Sequence, residues 1–306
     1  MHVELMVPGV FAAPPGPRRP ALELLLARAR VVHADPESAE TWLGRGFGQE
    51  QLPAGALTAG APGFWLRADP VHLRVLRDRV VIVPLAGLAP ETAAALVATL
   101  NRHFAGRHEF RAPHPDRWVM SNAPEALRSS PPAPLRAPPA RALAGADFGA
   151  HLPAAPWPAL LNEIQMALHE HPANEGRELE VNGVWLWGAG ELPATATAPW
   201  RSVSAEDPLA LGLARIARLA HRTPPASATE WLAELPEEGR HLAAFDALHE
   251  SLEADWFAPL VAALRAGRIG MLTLHVPDAG CAFEAVRADL RRFWRRPRPL
   301  QAHAPR

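Results

Sequence analysis

The 306-residue sequence contains no lysine and no tyrosine, and its one cysteine is Cys281. A single cysteine excludes an intrachain disulfide and is typical of proteins in a reducing compartment. The absence of lysine is typical of GC-rich codon usage. The 31 basic residues, all of them arginine, are therefore not in themselves evidence for phosphate or nucleic-acid binding.

Long apolar runs and a strong net charge are also absent. No apolar stretch approaches the roughly 20 residues that span a bilayer, and the N-terminus lacks the basic and apolar regions of a signal peptide. The net charge of −1 and the pI of about 6.9 give no bulk attraction to nucleic acid or membranes. We expect a cytoplasmic protein with no membrane partner, and we do not expect nucleic acid as a partner.

Predicted strands and helices interleave along the chain. Residues 3–7 form a predicted buried strand, and Pro90 starts a predicted helix. Residues 272–276 alternate between apolar and polar side chains and turn back into residues 281–286, which predicts a hairpin. Helices are predicted over 241–266 and over the basic stretch 287–296. The pattern predicts an α/β fold with a mixed sheet flanked by helices.

Proline is concentrated at residues 129–141, where five prolines favour extended backbone over helix or sheet. This segment is the clearest linker in the sequence. It predicts an N-terminal α/β half at 1–128 and a C-terminal α/β half at 142–306, and we expect the two halves to pack as one unit.

The polar groups most typical of a binding site follow a predicted helix at 157–170. One helix face is apolar, and Asn162 and His169 lie on another. Amides, an arginine, imidazoles and tryptophans follow, a combination that suits a phosphate or carboxylate ligand. The alternative is a solvated helix face followed by core tryptophans.

A second cluster combines Arg67, Asp69 and His72 beside an apolar segment. It is either a local ion pair with a neighbouring histidine or an anion-binding arginine with a titratable imidazole. The histidines His169 and His171 have no third ligand at a recognisable spacing, so no metal site is predicted there. No catalytic residue is identified.

The C-terminal stretch carries six arginines between Arg287 and Arg298, with one acid, Asp289. One interpretation is a patch for an acidic protein or nucleic acid. The other is a docked amphipathic helix with Leu290, Phe293 and Trp294 on its apolar face, and this is the prediction we adopt.

Five motifs, spread over nearly the whole chain, resemble the RpfE-type regulatory proteins of proteobacteria, a family named after a gene cluster that regulates pathogenicity factors. The resemblance implies a regulatory role. The motifs are RADPVHL at 67–73, LNEIQM at 161–166, HEHP at 169–172, WLWG at 185–188 and FWRRPRPL at 293–300.

A more distant resemblance is to the archaeal-type, cofactor-independent phosphoglycerate mutases of the alkaline-phosphatase superfamily. Its residues are His171, Pro172, Asn174, Arg177, Asn182, Trp187, Gly188 and Gly190, followed by residues 211–214. Those enzymes use two divalent metals and a serine that becomes phosphorylated. The resemblance implies a shortened fold of that type and places Asn174, Arg177 and Asn182 on the substrate side.

This sequence departs from that enzyme family at its metal ligands. Val7-Pro8-Gly9 stands where the family has Asp-Gly, and His275 is the one residue left of an Asp-His pair. No nucleophilic serine is identified. Because the metals activate the nucleophile in such a mechanism, loss of most ligands predicts loss of the reaction.

The leading prediction is therefore a non-catalytic regulatory protein that needs no cofactor and binds a small anionic, phosphorylated metabolite at a degenerate site. The alternatives are a phosphomutase or phosphatase with a rearranged Mn or Zn site, and a protein that binds another protein or nucleic acid through its C-terminal arginines. The predicted ligand-binding residues are Arg67, Asp69, His72, Asn162, Glu163, His169, His171, Asn174, Arg177, Asn182, Trp185 and Trp187.

Overall fold

A computed structural model describes residues 1–12, 16–122, 144–151 and 157–304. The predicted linker at 129–141 lies outside the described residues. The strands are β1 (His2–Met6), β2 (Arg30–His33), β3 (Trp65–Val75), β4 (Val80–Pro84), β5 (His108–His114), β6 (Arg117–Asn122), β7 (Gly183–Gly190), β8 (Ser202–Ala205), β9 (Ala220–Arg222), β10 (Arg240–Ala244), β11 (Met271–Val276) and β12 (Cys281–Val286). The α-helices are α1 (Pro20–Arg28), α2 (Ala39–Gly46), α3 (Ala54–Ala59), α4 (Pro90–His103), α5 (Phe148–His151), α6 (Trp157–Leu168), α7 (Pro208–Ile216), α8 (Ala228–Glu234) and α9 (Ala258–Ala266).

The chain forms two compact units. Unit 1 comprises Met1–Gln49 and Thr195–Arg306, and unit 2 comprises Glu50–Ala194. The sequence-based division at 129–141 does not coincide with these units, because strands from the beginning and the end of the chain pair with one another in unit 1.

Unit 1 contains a seven-stranded sheet in the described residues, with the order β2-β12-β11-β1-β10-β8-β9. Strand β1 is parallel to β10 and β11, and β8 is parallel to β10 and β9. Strands β12 and β2 add antiparallel pairs at one side. The expected mixed sheet is confirmed. In an open α/β sheet, ligands bind beyond the carboxyl ends of the parallel strands.

Helices cover both faces of the unit 1 sheet. One face carries Val3 and Leu5, which join Trp231 of α8 and Leu260 of α9 in a continuous buried core. The opposite face carries Glu4 and His275, and α2 lies over it. Full burial of a leucine-sized side chain contributes about 1.5–3 kcal/mol, so each buried side chain of this core stabilises unit 1.

Unit 2 contains a five-stranded antiparallel sheet in the part of the chain that the structure describes, with β4, β3, β6 and β5 in order and β7 also paired to β3. Strand β3 is eleven residues long, which allows it to pair with β4, β6 and β7 along its length. Helix α3 packs closely on β3: a Cβ added at Gly55 would lie 2.5 Å from the Leu66 backbone, so only glycine fits there.

The predicted C-terminal hairpin is confirmed. Strands β11 and β12 pair from Met271↔Val286 to Val276↔Cys281. Gly280 in the turn has φ +59°, and a Cβ there would lie 2.4 Å from the Ala34 carbonyl oxygen, which makes glycine necessary at that turn position.

Two helix predictions are wrong. Residues Arg240–Ala244 form the parallel strand β10 rather than the start of a helix, because a short apolar run fits a buried strand and a buried helix equally well. Residues 287–296 contain a short 3₁₀ turn, Asp289–Arg291, in place of the predicted basic helix. In the described residues no helix combines the length and apolar character needed to cross a membrane.

Candidate functional site

Arg67 and Asp69 form a buried network between β3 and β7. Asp69 Oδ1 accepts hydrogen bonds from Arg67 Nε at 2.9 Å and Nη2 at 2.7 Å, and its Oδ2 accepts from Trp187 Nε1 at 2.6 Å. Arg67 also donates to the Thr58 hydroxyl at 3.2 Å and lies 5.2 Å from the centre of the Trp187 ring. Arg67 is 1% exposed. These contacts tie two strands and α3 together inside unit 2.

The tryptophans of β7 are core residues. Trp185 is fully buried and makes an edge contact with Phe148, with ring centroids 5.9 Å apart. It pairs with Asp69 across the strands, as Trp187 does with Arg67. The alternating pattern of β7 therefore places both rings on the same face as the Arg67–Asp69 pair.

Two predicted amide donors bond to the backbone. Asn174 donates to the Val181 carbonyl at 3.1 Å and accepts from its amide at 2.9 Å. Asn182 makes the same pair of bonds to Leu73, at 3.1 and 2.7 Å. The His72 Nδ1–H donates to the Glu180 carbonyl at 3.0 Å. These bonds tie residues 171–182 to one another and to β3, and we call this segment the stapled loop.

His171 begins the stapled loop and caps its first turn. Its Nδ1 accepts from the Ala173 amide at 3.1 Å, and the other ring nitrogen, Nε2, lies 2.9 Å from Thr99 Oγ1. Because Nδ1 acts as an acceptor, Nε2 carries the proton and donates to the Thr99 hydroxyl. The ring joins the loop to α4.

The predicted residues on α6 and just beyond it face solvent. Glu163 Oε1 accepts from Arg107 Nη2 at 2.6 Å and from His103 Nε2 at 3.0 Å. The Arg107 hydrogen bond is the main cause of the lowered pKa of Glu163. Asn162 is exposed, and His169, 76% exposed, has Glu170 as a neighbour at 3.7 Å. Glu163 therefore links α6 to α4.

Arg177 differs from the other predicted residues because it is half-buried and carries a charge that no carboxylate of the described residues pairs with. It is half-buried in the stapled loop, and its Nε donates to the Leu179 carbonyl at 3.3 Å. Among the described residues no carboxylate forms an ion pair with it, although the loop also carries Glu175, Glu178 and Glu180. The structure thus brings the stapled loop and its arginine together with His72, while Asn162, Glu163 and His169 lie on α6 and its end.

The predicted helix at 241–266 places Asp246 and His249 on a solvated helix face. In unit 1 they lie instead beside Glu206, which sequence reasoning missed, beyond the carboxyl ends of β8 and β10. Glu206 Oε2 accepts from the Asp246 amide at 2.9 Å and lies 3.7 Å from His249 Nε2. The sequence signal for this group of polar residues was a short apolar run, residues 242–245, followed directly by Asp246, a pattern that also fits a buried strand ending in a polar residue. In the residues that the structure covers, no three His, Cys, Asp or Glu side chains are placed to hold a metal ion.

His275, which stands at the place of the enzyme family's Asp-His pair, is tied to another residue of unit 1. Its Nε2 donates to Glu4 Oε2 at 2.9 Å, and its ring lies 4.7 Å from that of Trp42. Glu4 also accepts from Arg240 Nε at 2.6 Å. Burial acts to raise the pKa of Glu4, but the hydrogen bonds from His275 and Arg240 outweigh it and lower the pKa to about 2.

Cys281 is expected to resist alkylation in the folded protein. It is 5% exposed at the start of β12, and burial, with Asp278 nearby, raises the pKa of its thiol from 9.0 to about 11. Since the thiolate is the reactive form, iodoacetamide near pH 8 should react about a hundredfold more slowly than with the urea-unfolded chain. Equal rates in the two states, measured by mass spectrometry, would contradict this assignment.

Comparisons with known proteins show the fold and leave the activity open. No family model and no curated protein matches the chain, so the RpfE-type resemblance stays a prediction. The chain is similar to the PH0037 protein from Pyrococcus horikoshii, with 14% identity and a TM-score of 0.51, covering 93% of this chain and 87% of that one. It also matches a cofactor-independent phosphoglycerate mutase from Thermoplasma acidophilum, with 18% identity and a TM-score of 0.40, over 93% and 89% of the two chains. The predicted mixed α/β class is confirmed, and the chain shares its fold with the PH0037 protein.

Proposed function

We propose that this protein is a non-catalytic, regulatory protein that binds a small phosphorylated or carboxylated metabolite through Arg177. The observation that supports this most directly is a half-buried guanidinium, in a loop with three glutamates, that pairs with no carboxylate in the described residues. A guanidinium fork binds phosphate or carboxylate through two parallel hydrogen bonds.

The stapled loop prepares Arg177 for this role. The side chains of Asn174 and Asn182 donate two hydrogen bonds and accept two, and these four bonds fix the loop backbone. The Arg177 amide donates to the Asn174 carbonyl at 3.1 Å. A ligand that binds a fixed loop does not have to order it, and this saves free energy of binding. Asn174 and Asn182 therefore act as positioning residues.

The other predicted site residues have different parts in this proposal. His72 bonds to the Glu180 carbonyl near the C-terminal end of the loop, and His171 accepts from the Ala173 amide at its start. Arg67, Asp69, Trp185 and Trp187 lie buried on β3 and β7, and in this proposal they stabilise unit 2 and do not contact the ligand. The alternative phosphomutase or phosphatase would need metal ligands, and in the described part of the chain the residues do not converge on such a site.

Substitution of Arg177 tests the proposal. We expect Arg177→Gln to weaken binding of 3-phosphoglycerate and of inorganic phosphate by about 1.5–3 kcal/mol, roughly ten- to a hundredfold in Kd. The reason is that glutamine keeps much of the length but loses the charge and the fork. Isothermal titration calorimetry measures the two constants, and thermal unfolding checks that the variant is folded.

The matched control is Arg77→Gln, which removes an exposed arginine from the turn between β3 and β4. Its affinity should equal that of the unaltered protein. If the folded Arg177→Gln variant binds as tightly as the unaltered protein, or if both variants lose affinity equally, Arg177 is not the ligand-binding residue.

A further inference from the structure

The C-terminal segment at residues 287–298 exposes two aromatic rings side by side. Phe293 is 77% exposed and Trp294 is 65% exposed, with ring centroids 5.3 Å apart and planes at 82°. We call residues 287–298 the aromatic–arginine segment. The sequence predicted that both rings dock on the protein, and that prediction is wrong: Leu290 is buried and the two rings are not.

The segment is tied to the end of α1 by hydrogen bonds from three guanidinium groups. Arg28 donates to the Leu290 carbonyl, Arg292 donates to the Arg28 carbonyl at 3.0 Å, and Arg295 donates to the Ala29 carbonyl at 3.1 Å. With the backbone tied at these points, Phe293 and Trp294 project from an anchored part of the structure. Two large adjacent aromatics exposed in this way suggest a binding surface.

The segment is also strongly basic. It holds six arginines and one acid, Asp289, a net charge of +5 on a chain whose total is −1. Asp289 is paired with Arg292 at 2.6 Å. The side chains of Arg287, Arg291, Arg296 and Arg298 are exposed and form no ion pair within the described residues. The positive charge surrounding the rings is therefore not neutralised by the protein.

We propose that the aromatic–arginine segment binds the surface of an anionic lipid bilayer. Aromatic rings are favoured at the boundary between headgroups and acyl chains. Clusters of four to eight basic residues attract anionic lipids, at about 1 kcal/mol for each residue near the surface. Phe293 and Trp294 enter this boundary, and the four unpaired arginines contact the lipid phosphates. The protein is then peripheral to the membrane, contrary to the expectation of no membrane partner.

The geometry of the two rings favours lipid over single-stranded nucleic acid. The two rings are nearly perpendicular, so they do not form a continuous platform for successive stacked bases, the usual mode of single-strand binding. A local cluster of basic residues is enough to attract an anionic bilayer.

Vesicle co-sedimentation with the full chain tests the proposal. The unaltered protein should bind vesicles of phosphatidylcholine mixed with phosphatidylglycerol and not vesicles of phosphatidylcholine alone. Phe293→Ser/Trp294→Ser and Arg291→Gln/Arg296→Gln should each lower the partition coefficient about tenfold or more. The matched controls, Met166→Ser and Arg74→Gln/Arg77→Gln, change an exposed apolar residue and exposed arginines in unit 2 and should bind as the unaltered protein does.

Several results would overturn the proposal. The folded, unaltered protein could fail to bind the anionic vesicles, or the control variants could lose binding as much as the segment variants. In a third result, the protein would bind a single-stranded oligonucleotide through this segment and would not bind vesicles. That result would identify nucleic acid as the partner. Circular dichroism on each variant establishes that it is folded.

Discussion

Replacing Asp69 with alanine is expected to destabilise unit 2 by about 3–5 kcal/mol. The substitution leaves the guanidinium of Arg67, 1% exposed, without the carboxylate that accepts two of its hydrogen bonds. It also removes the acceptor of the Trp187 Nε1–H. Removing one partner of a buried charged pair costs far more than the pair itself contributes. Urea unfolding followed by tryptophan fluorescence measures the effect.

Two further variants should lower the free energy of unfolding by less than Asp69→Ala does. Trp187→Phe removes the indole donor and shrinks a buried ring that lies against Arg67. It should cost about 1–3 kcal/mol, because one oxygen of Asp69 loses a hydrogen bond and some core packing is lost. Asp78→Ala removes an exposed carboxylate beyond the end of β3 and should stay within about 0.5 kcal/mol of the unaltered protein. If Asp69→Ala left the free energy of unfolding unchanged and weakened ligand binding instead, Asp69 would be a ligand-binding residue and the structural assignment would be wrong.

Replacing Glu4 with glutamine is expected to cost about 2–3 kcal/mol at neutral pH. The Glu4 carboxylate is 1% exposed and accepts from Arg240 at 2.6 Å and from His275 at 2.9 Å. Its pKa falls from 4.5 to about 2 on folding, where the hydrogen bonds outweigh burial. Such a shift corresponds to about 3 kcal/mol at most, and the partial exposure of Arg240 reduces it.

The same substitution should alter the pH dependence of stability. Because the pKa of Glu4 is lower in the folded state, its contribution is complete above about pH 4.5 and is lost as the pH falls toward about 2. The loss of stability between these values should therefore be smaller in Glu4→Gln than in the unaltered protein. The control, Glu284→Gln, breaks a pair with the exposed Arg30 and should cost less than about 1 kcal/mol. Parallel pH profiles for Glu4→Gln and the unaltered protein would contradict the assignment.

The sequence predicts those elements of the fold whose signals are local. Pro90 starts α4, as predicted. The alternation in 272–276 and the Gly280 turn together predict the β11–β12 hairpin. In each case the conformational preference of residues within the element or its turn is sufficient to predict it.

The elements that the sequence mispredicts depend on distant partners. Strand β10 lies between β1 and β8, and nothing in its own short apolar run distinguishes it from a helix. The spacing of Leu290, Phe293 and Trp294 fits a helix, but the segment is not an α-helix. Its arginines donate hydrogen bonds to the carbonyls of Arg28 and Ala29, which lie more than 260 residues away in sequence. Unit 1 likewise depends on pairing between the two ends of the chain.

In the candidate site, too, the sequence predicts local contacts and does not predict contacts between distant residues. Arg67 and Asp69 are two residues apart on β3, and their ion pair is one of the two interpretations that the sequence allows. The amides of Asn174 and Asn182 look like ligand donors in the sequence, because their backbone partners, Val181 and Leu73, are not identifiable from spacing. Residue types predict chemistry, but only the fold shows which polar atoms are already bonded within the protein.

The most direct test of the central claim is a calorimetric titration of the full chain with 3-phosphoglycerate, in the presence and absence of a chelator. We predict saturable binding of one ligand per chain that the chelator does not change and that Arg177→Gln weakens at least tenfold. Binding that disappears with the chelator, or that the folded Arg177→Gln variant retains in full, would contradict a metal-independent anion site on the stapled loop.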